Sequence, residues 1–169
     1  GDVLLDDGVP VVDGHERHVI LTPAGLAFDR DGAILLADAA AEAGVLRFIV
    51  ISSIGADSFA DAGDEMGAYL KAKSEADAHI RESDLDWTIV RPGPLTDDAA
   101  TGRVTVGDDS LERGEITRAD VAGVIAAAID QPATLRKQFV VVGGGTSINA
   151  IPNEIRMEVD LRSRDAAEL

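Results

Sequence analysis

Cysteine is absent from this 169-residue chain, which excludes disulfides, thiolate metal sites and cysteine nucleophiles. Aromatic residues are scarce, at 4 % of the chain, with a single Tyr and a single Trp. No window approaches the roughly 18 unbroken apolar residues of a membrane-spanning helix, and the start does not have the pattern of a secretory leader. The length suffices to bury a core without disulfides. We therefore expect one soluble domain over residues 1–169, located in the cytoplasm.

Basic residues are also scarce, because 15 Lys and Arg stand against 31 Asp and Glu, for a net charge of −16. Such a surface repels nucleic acids and anionic membranes, so neither is expected as a partner. Of the acids 21 are Asp, whereas only three of the bases are Lys. This balance is typical of proteins from a high-salt cytoplasm, where screening weakens the repulsion between like charges.

Four short apolar runs predict buried strands, because each is followed closely by Gly or Pro. They are His18–Leu21, Phe48–Ile51, Trp87–Val90 and Phe139–Val142. Strands that are apolar throughout and alternate with amphipathic helices predict an α/β fold, a parallel sheet with helices on both faces. Ligands bind such sheets at the carboxyl ends of the strands, and the segments that follow here are rich in Gly, Pro and hydroxyl groups.

The helical segments carry start and stop signals. Asp29 or Asp31 is the expected N-cap of the first helix, and Gly44 is its expected C-terminal stop. Thr117 and Asp120 form a capping-box-like pair at the start of the last helix. A middle helix is expected over residues 67–80.

Two segments lack a helical pattern. Residues 56–67 are expected to form a loop rich in Gly and Asp, and residues 98–116 a polar excursion. Within this excursion, Val104–Val106 are expected to pair with Glu115–Thr117 as a short hairpin. Either segment can lie over a pocket mouth, although plain surface loops are the commoner case.

Tyr69 and Lys73 are four residues apart on the middle helix, so they share a face with Ala76 and Ile80. That face is the apolar one and should point toward the sheet. A nearby ammonium stabilises phenolate and lowers the pKa of a phenol, which makes Tyr a workable proton donor to a carbonyl. A hydroxyl at the neighbouring strand end, from Ser52 or Ser53, can bond the same carbonyl oxygen.

The order of these motifs resembles a known family. The stretches "DRDGAILLADAAAEAGVLRFIVISSIGAD" and "AYLKAKSEADAHIRESDLDWTIVRPGPLTDD", followed by "RGEITRADVAGVIAAAID" and "FVVVGGGTSI", are similar to the atypical NAD(P)H-binding branch of the short-chain dehydrogenase/reductase superfamily. The resemblance covers about residues 28–148. It implies a truncated Rossmann-like domain, NADP or NAD as cofactor, and a small-molecule carbonyl substrate.

The resemblance also implies roles for individual residues. Tyr69 would donate the proton, Lys73 would lower the pKa of Tyr69 and bond the nicotinamide ribose, and Ser53 would orient the carbonyl. The residues implied for cofactor binding are Ser52, Arg91, Pro92 and Gly93 at the nicotinamide end and Thr22, Pro23, Ala24 and Gly25 near the adenosine side.

One family element is missing from these 169 residues, the turn of the Gly-x-x-Gly-x-x-Gly kind whose following helix N-terminus holds the cofactor pyrophosphate. We therefore expect an oxidoreductase-like domain with impaired cofactor binding. The alternative is a non-catalytic dimeric scaffold, or a ligand-binding remnant of the same fold.

The two ends differ from the rest. Residues 148–163 resemble a strand of the dimerisation domain in zinc-dependent aminoacylase and carboxypeptidase-like hydrolases, without any metal ligand of that family. Residues 1–17 and 149–169 are expected to add terminal strands of foreign origin, and a homodimer is expected through the exposed sheet edge. His15 and His18 lack a third ligand, so no metal site is expected.

Overall fold

Eight strands and three α-helices make up the part of the chain that the computed structural model describes, residues 18–21, 28–61 and 63–148. The strands are β1 (His18–Leu21), β2 (Arg47–Ile51), β3 (Asp86–Pro92), β4 (Leu95–Thr96), β5 (Arg103–Gly107), β6 (Ile116–Thr117), β7 (Lys137–Gly143) and β8 (Thr146–Ser147). The helices are α1 (Ala33–Glu42), α2 (Asp64–Glu82) and α3 (Arg118–Ile129).

The main sheet has the strand order β1-β2-β3-β7-β5-β8. Its first four strands are parallel, with β1 beside β2, β2 beside β3 and β3 beside β7. These are the four strands predicted from the apolar runs, so the prediction of a truncated Rossmann-like α/β fold is confirmed. Strands β5 and β8 add an antiparallel edge.

Helices cover both faces of the sheet. On one face, Ala37 and Ala40 of α1 and Ile80 of α2 pack against Phe48 and Trp87 of the sheet. On the other face α3 packs in the same way, through residues that include Val121, Val124 and Ile125. Strands β2 and β3 therefore bury side chains in both directions, which explains why they are apolar throughout rather than alternating.

Helix α1 begins differently from the prediction. One turn of π-helix, Phe28–Gly32, leads into it, and its N-cap Gly32 receives no side-chain cap. Neither Asp29 nor Asp31 caps the helix, because Asp29 is buried against a lysine of α2 and Asp31 pairs with Arg30 on the surface. The predicted stop is confirmed, since Gly44 has a φ of 70° beyond the helix end.

The segment predicted as a loop over residues 56–67 is largely helical. A 3₁₀-helix spans Ala56–Asp61, and α2 begins at Asp64, three residues before the expected start. At the start of α3 the expected cap is present, because Thr117 Oγ1 accepts a hydrogen bond of 2.9 Å from the backbone of Asp120.

The predicted hairpin is wrong. Strand β5 pairs antiparallel with β7 and β8, whereas β6 pairs parallel with β4 through Leu95 and Ile116. The reason is that Val104 is 1 % exposed and fills the core between β7 and α3, which places β5 in the main sheet.

Other sequence-based expectations lie outside the described residues, among them the two terminal segments and the loop at 22–25. The proposed edge-to-edge homodimer stays a prediction. In the described part, no helix is both long enough and apolar enough to cross a membrane.

Asp120 connects the excursion to α3 and generates a first prediction. Its buried carboxylate accepts hydrogen bonds from the backbone of Thr101 and Gly102 and from the Thr101 hydroxyl, at 2.8 to 3.0 Å. Burial raises its pKa, but these hydrogen bonds outweigh that effect and the net pKa is lowered. We expect Asp120→Asn to lower the free energy of unfolding by about 2 kcal/mol at neutral pH, because an amide cannot accept the same bonds.

A depressed folded-state pKa contributes stability above the unfolded value that is lost as the pH falls through the folded value. The difference between wild type and Asp120→Asn should therefore narrow below about pH 4 in urea unfolding experiments. Asp97→Asn, at an exposed ion pair with Arg118, is the matched control and should change stability by less than about 0.5 kcal/mol. Equal effects of the two variants would contradict the assignment.

Candidate active site

A cavity of about 510 Å³ opens at the carboxyl ends of β2 and β3, beside the first turns of α2. This is where a parallel sheet is expected to bind its ligand. The lining residues are Ile51, Ser52, Ser53, Ile54, Ser58, Asp61, Met66, Tyr69, Leu70, Pro92, Gly93, Pro94, Leu95 and Arg113. The lining is mainly apolar with a few hydroxyl groups, which suits a small organic molecule that has few polar atoms.

Tyr69 and Ser53 both line this cavity, and the hydroxyl of Ser53 donates to the carbonyl oxygen of Ile54 at 3.4 Å. Tyr69 is half-buried, and burial raises the pKa of its phenol. The negative charges of Asp29 and Asp77 raise the pKa further, while the neighbouring Ser53 hydroxyl lowers it. The phenol is therefore protonated at neutral pH and can donate a proton.

Lys73 lies behind Tyr69 and is 4 % exposed. Its Nζ lies 5.7 Å from the centre of the Tyr69 ring, 2.9 Å from Asp29 Oδ1 and 3.2 Å from the carbonyl oxygen of Ile51, to which it donates a hydrogen bond. The resemblance implied that Lys73 lowers the pKa of Tyr69. Burial and the charge of Asp29 raise the pKa of Tyr69 overall, and the implied role of Lys73 stays a prediction.

The contact between Lys73 and Asp29 is ionic in its geometry. Although Asp29 Oδ1 lies 2.9 Å from Nζ, the angle is not that of a hydrogen bond, so this buried oxygen keeps unused accepting capacity. An ammonium has three N–H donors, and the one bonded to Ile51 accounts for a single donor. The buried Asp29 Oδ1, which can accept a hydrogen bond, thus lies next to the Lys73 ammonium, which has N–H donors left.

Arg91 does not line the cavity, contrary to its implied place at the nicotinamide end. Its guanidinium is 0 % exposed and donates to Asp77 at 2.8 and 3.1 Å, to Asp57 at 2.8 Å and to Asp109 at 3.0 Å. Burial lowers its pKa, but the hydrogen bonds and charges of Asp57 and Asp77 outweigh burial and raise it. The guanidinium donors of Arg91 are thus bonded to three acids, and its implied role in cofactor binding stays a prediction.

Ser52 also bonds the charge cluster, which consists of Arg91, Asp57, Asp77 and Asp109. It borders the cavity, but its hydroxyl donates to Asp77 Oδ2 at 2.7 Å and the residue is 2 % exposed. Burial raises the pKa of Asp77, whereas Arg91 and Ser52 oppose the shift. Of the two adjacent serines, therefore, Ser53 faces the ligand space and Ser52 orients a buried carboxylate.

Pro92 and Gly93 line the cavity, as the resemblance implied. A Cβ at Gly93 would lie 1.9 Å from the carbonyl oxygen of Gly114, so only glycine fits there. The close approach holds the end of the excursion against the carboxyl end of β3. Thr22, Pro23, Ala24 and Gly25 lie outside the described residues.

Several site residues were not predicted from the sequence. Met66 and Leu70 line the cavity, and their helical spacing from Tyr69 and Lys73 was the signal that could have identified them. The sequence predicts Asp29 as a helix cap, because an aspartate just before a helix is compatible both with a cap and with a buried ion pair. Arg113 lay in a segment without any pattern.

The residues present fit the nicotinamide end of a dinucleotide. Apolar side chains with one glycine at the carboxyl end of β3 can accept a flat ring, and the Tyr69 and Ser53 hydroxyls can bond a carbonyl. The spare donors of Lys73 and the unused acceptor of Asp29 suit a ribose hydroxyl, which both donates and accepts. In the described part of the chain, no cluster of three or more acidic or histidine side chains could hold a metal ion.

Sheet order, helical layers and a Tyr-Lys pair beside a strand-end serine define an atypical short-chain dehydrogenase/reductase of Rossmann-like fold. A family model described as NAD(P)H-binding matches residues 1–132. The chain belongs to this NAD(P)H-binding family. The resemblance stated from the motifs is thereby confirmed.

Individual relatives agree with this. The uncharacterized sugar epimerase YhfK of Bacillus subtilis is 39 % identical over 123 residues, which cover 73 % of this chain and 57 % of the relative. A solved structure from Bacillus halodurans, provisionally described as an NAD-dependent epimerase/dehydratase, has a TM-score of 0.73 at 40 % identity and covers 78 % of this chain and 66 % of that one. The anaerobilin reductase ChuY of Escherichia coli O157:H7 has a TM-score of 0.68 at 30 % identity and covers 76 % and 64 %.

A short-chain dehydrogenase/reductase from Veillonella parvula in complex with NADP, at 17 % identity and a TM-score of 0.59, shares the fold, covering 83 % of this chain and 66 % of that one. The chain spans about 57 % of the length of the Bacillus subtilis relative. None of these similarities supports the hydrolase-like reading of residues 148–163, which stays a prediction.

The pKa of Tyr69 can be measured directly because it is the single tyrosine. Asp29→Asn should make Tyr69 titrate at a lower pH than in wild type, since a negative charge that opposes phenolate is removed while Lys73 stays. The measurement is the near-ultraviolet absorbance of phenolate against pH, over the range in which circular dichroism shows the folded protein.

Asp31→Asn is the matched control, because Asp31 is exposed on the same turn and pairs with Arg30. It should leave the titration of Tyr69 unchanged. An Asp29→Asn protein that is folded and titrates like wild type would show that Asp29 does not control the phenol.

Proposed function

We propose that this chain forms the substrate-binding and proton-donating part of an NAD(P)H-dependent carbonyl reductase. The observation that carries the proposal is the shared cavity, whose lining holds both Tyr69 and Ser53 at the carboxyl ends of β2 and β3. The membership in an NAD(P)H-binding family supports it. The printed description of the Escherichia coli relative as a reductase agrees with it.

When bound, the dihydronicotinamide supplies a hydride to the carbonyl carbon of the substrate. Tyr69 gives its phenolic proton to the carbonyl oxygen, so that an alcohol and the oxidised cofactor result. The hydroxyl of Ser53 donates a hydrogen bond to the same oxygen and fixes its position. Lys73 stabilises the phenolate that remains, 5.7 Å from its ring centre, until a proton from water restores the phenol.

The affinity for the cofactor is a separate part of the proposal. The 169 residues contain no glycine-rich turn of the pyrophosphate-binding kind, and such a turn supplies backbone N–H groups to the phosphates. We propose that this chain by itself binds NADPH and NADH weakly, with a Kd on the order of 1 mM, or about −4 kcal/mol. The alternative, a non-catalytic scaffold, would show no response to either cofactor.

The first experiment is a titration with NADPH and NADH, followed by the fluorescence of the reduced nicotinamide and by thermal shift. The single Trp87 is a poor reporter, because it lies near the amino end of β3, away from the cavity. We expect saturable binding of at least one cofactor in the millimolar range. No response to either cofactor would overturn the proposal in favour of the scaffold.

Tyr69→Phe tests the chemistry. With NADPH and a simple aromatic aldehyde, the variant should lose about 10²- to 10⁴-fold in kcat/KM, because the proton donor is removed while the ring remains. Cofactor affinity should stay near wild type. Wild-type activity in Tyr69→Phe would remove this residue from the mechanism.

A further inference from the structure

Arg113 is the single cationic side chain among the described residues that line the cavity. The other charged member of the lining is Asp61. The proposed reaction does not use Arg113, since hydride transfer and proton donation need only the cofactor, Tyr69, Ser53 and Lys73. A cation in this position therefore calls for a separate explanation.

No described carboxylate lies within ion-pairing distance of the Arg113 guanidinium. In a chain with a net charge of −16, acids are abundant, and among the described residues four other arginines form ion pairs, namely Arg30, Arg91, Arg118 and Arg136. Arg103 is exposed and has no ion pair with a described residue, but it lies outside the cavity. Arg113 is thus both available to a ligand and located at the ligand space.

The backbone around Arg113 is fixed. The carbonyl oxygen of Gly114 packs on Gly93, Glu115 accepts a hydrogen bond of 2.8 Å from the backbone of Gly143, and Ile116 donates one of 2.9 Å to Pro94. These contacts hold the end of the excursion against β3 and β7. The base of the Arg113 side chain consequently has a set position beside the cavity.

The Arg113 guanidinium occupies space that is open because residue 55 is a glycine. A Cβ at Gly55 would lie 2.5 Å from Arg113 Nη2, so a side chain there would displace the guanidinium. Gly55 has a φ of 78°, a conformation that favours glycine on its own account. The guanidinium therefore lies against the backbone just beyond β2, two residues along the chain from Ser53.

We infer that Arg113 binds an anionic group, a carboxylate or a phosphate, on the carbonyl substrate of this site. The planar guanidinium offers paired N–H donors that match such groups. A strongly acidic surface repels anions at a distance, and a local cation in the cavity wall is what allows this site to hold one. This inference rests on the proposed function and names the class of its substrate.

The test uses two aldehydes that share the ring and the reacting carbonyl, 4-formylbenzoate and its uncharged methyl ester, with NADPH as cofactor. Wild type should show the higher kcat/KM for 4-formylbenzoate. Arg113→Gln should lower that value about 10- to 100-fold, through KM, since a charge-assisted hydrogen bond is lost. The value for the ester should change little, and Arg113→Lys should recover part of the loss.

Arg103→Gln is the matched control, because it removes one exposed positive charge from the same excursion without touching the cavity. It should leave the preference for 4-formylbenzoate intact. An equal loss in Arg103→Gln and Arg113→Gln would show a general charge effect and overturn the inference. So would an unchanged preference in Arg113→Gln.

A binding experiment separates this inference from the reductase proposal. Benzoate and benzamide are compared by ligand-observed NMR on wild type and Arg113→Gln, without cofactor or turnover. Benzoate binding that is weakened in Arg113→Gln, in a protein that reduces neither aldehyde, would refute the reductase proposal and keep the anion site. Absent benzoate binding, or equal binding of benzoate to wild type and Arg113→Gln, would overturn the anion site.

Discussion

The geometry of the site depends on the ion pairs between the buried guanidinium of Arg91 and three carboxylates. A charge with no exposure to water must be paired, because removing one partner of such a cluster is strongly destabilising, by about 3 to 5 kcal/mol. The required acids come from three separate segments: Asp77 from α2, Asp57 from the 3₁₀-helix and Asp109 from the turn after β5. Each acid brings its own segment against the carboxyl end of β3.

The same segments form the walls of the cavity. Ser58 and Asp61 belong to the 3₁₀-helix that Asp57 holds, and Tyr69 and Leu70 lie on the helix that carries Asp77. Arg113 lies four residues after Asp109 in the sequence. The charge cluster and the ligand site are therefore formed by the same segments. Ser52 bonds Asp77 of the cluster, while the neighbouring Ser53 lines the cavity.

The parts of this fold that could be predicted from the sequence are those set by local patterns. Apolar runs predict the four parallel strands, and the four-residue spacing of Tyr69 and Lys73 predicts that they share one helix face. Residues whose role is set by distant partners could not be predicted. Asp29 has the local sequence of a helix cap, and only the approach of Lys73, which is 44 positions further along, makes it a buried counter-ion. Likewise β5 pairs with β7 across more than 30 residues, which no local pattern encodes.

Burial and nearby negative charge favour the protonated form of the Tyr69 phenol, which is the proton donor in the proposed reaction. A buried phenol loses more solvation on ionising than an exposed one, and Asp29 and Asp77 add negative charge near it. The Lys73 ammonium lies 5.7 Å from the ring centre and is paired with Asp29 at 2.9 Å. In the proposed reaction, the acid must keep its proton until hydride transfer and needs a stabilised conjugate base afterwards. The Asp29–Lys73 pair would serve both stages, because a ribose hydroxyl or a substrate bonded to Asp29 Oδ1 would leave more of the ammonium charge to the phenolate.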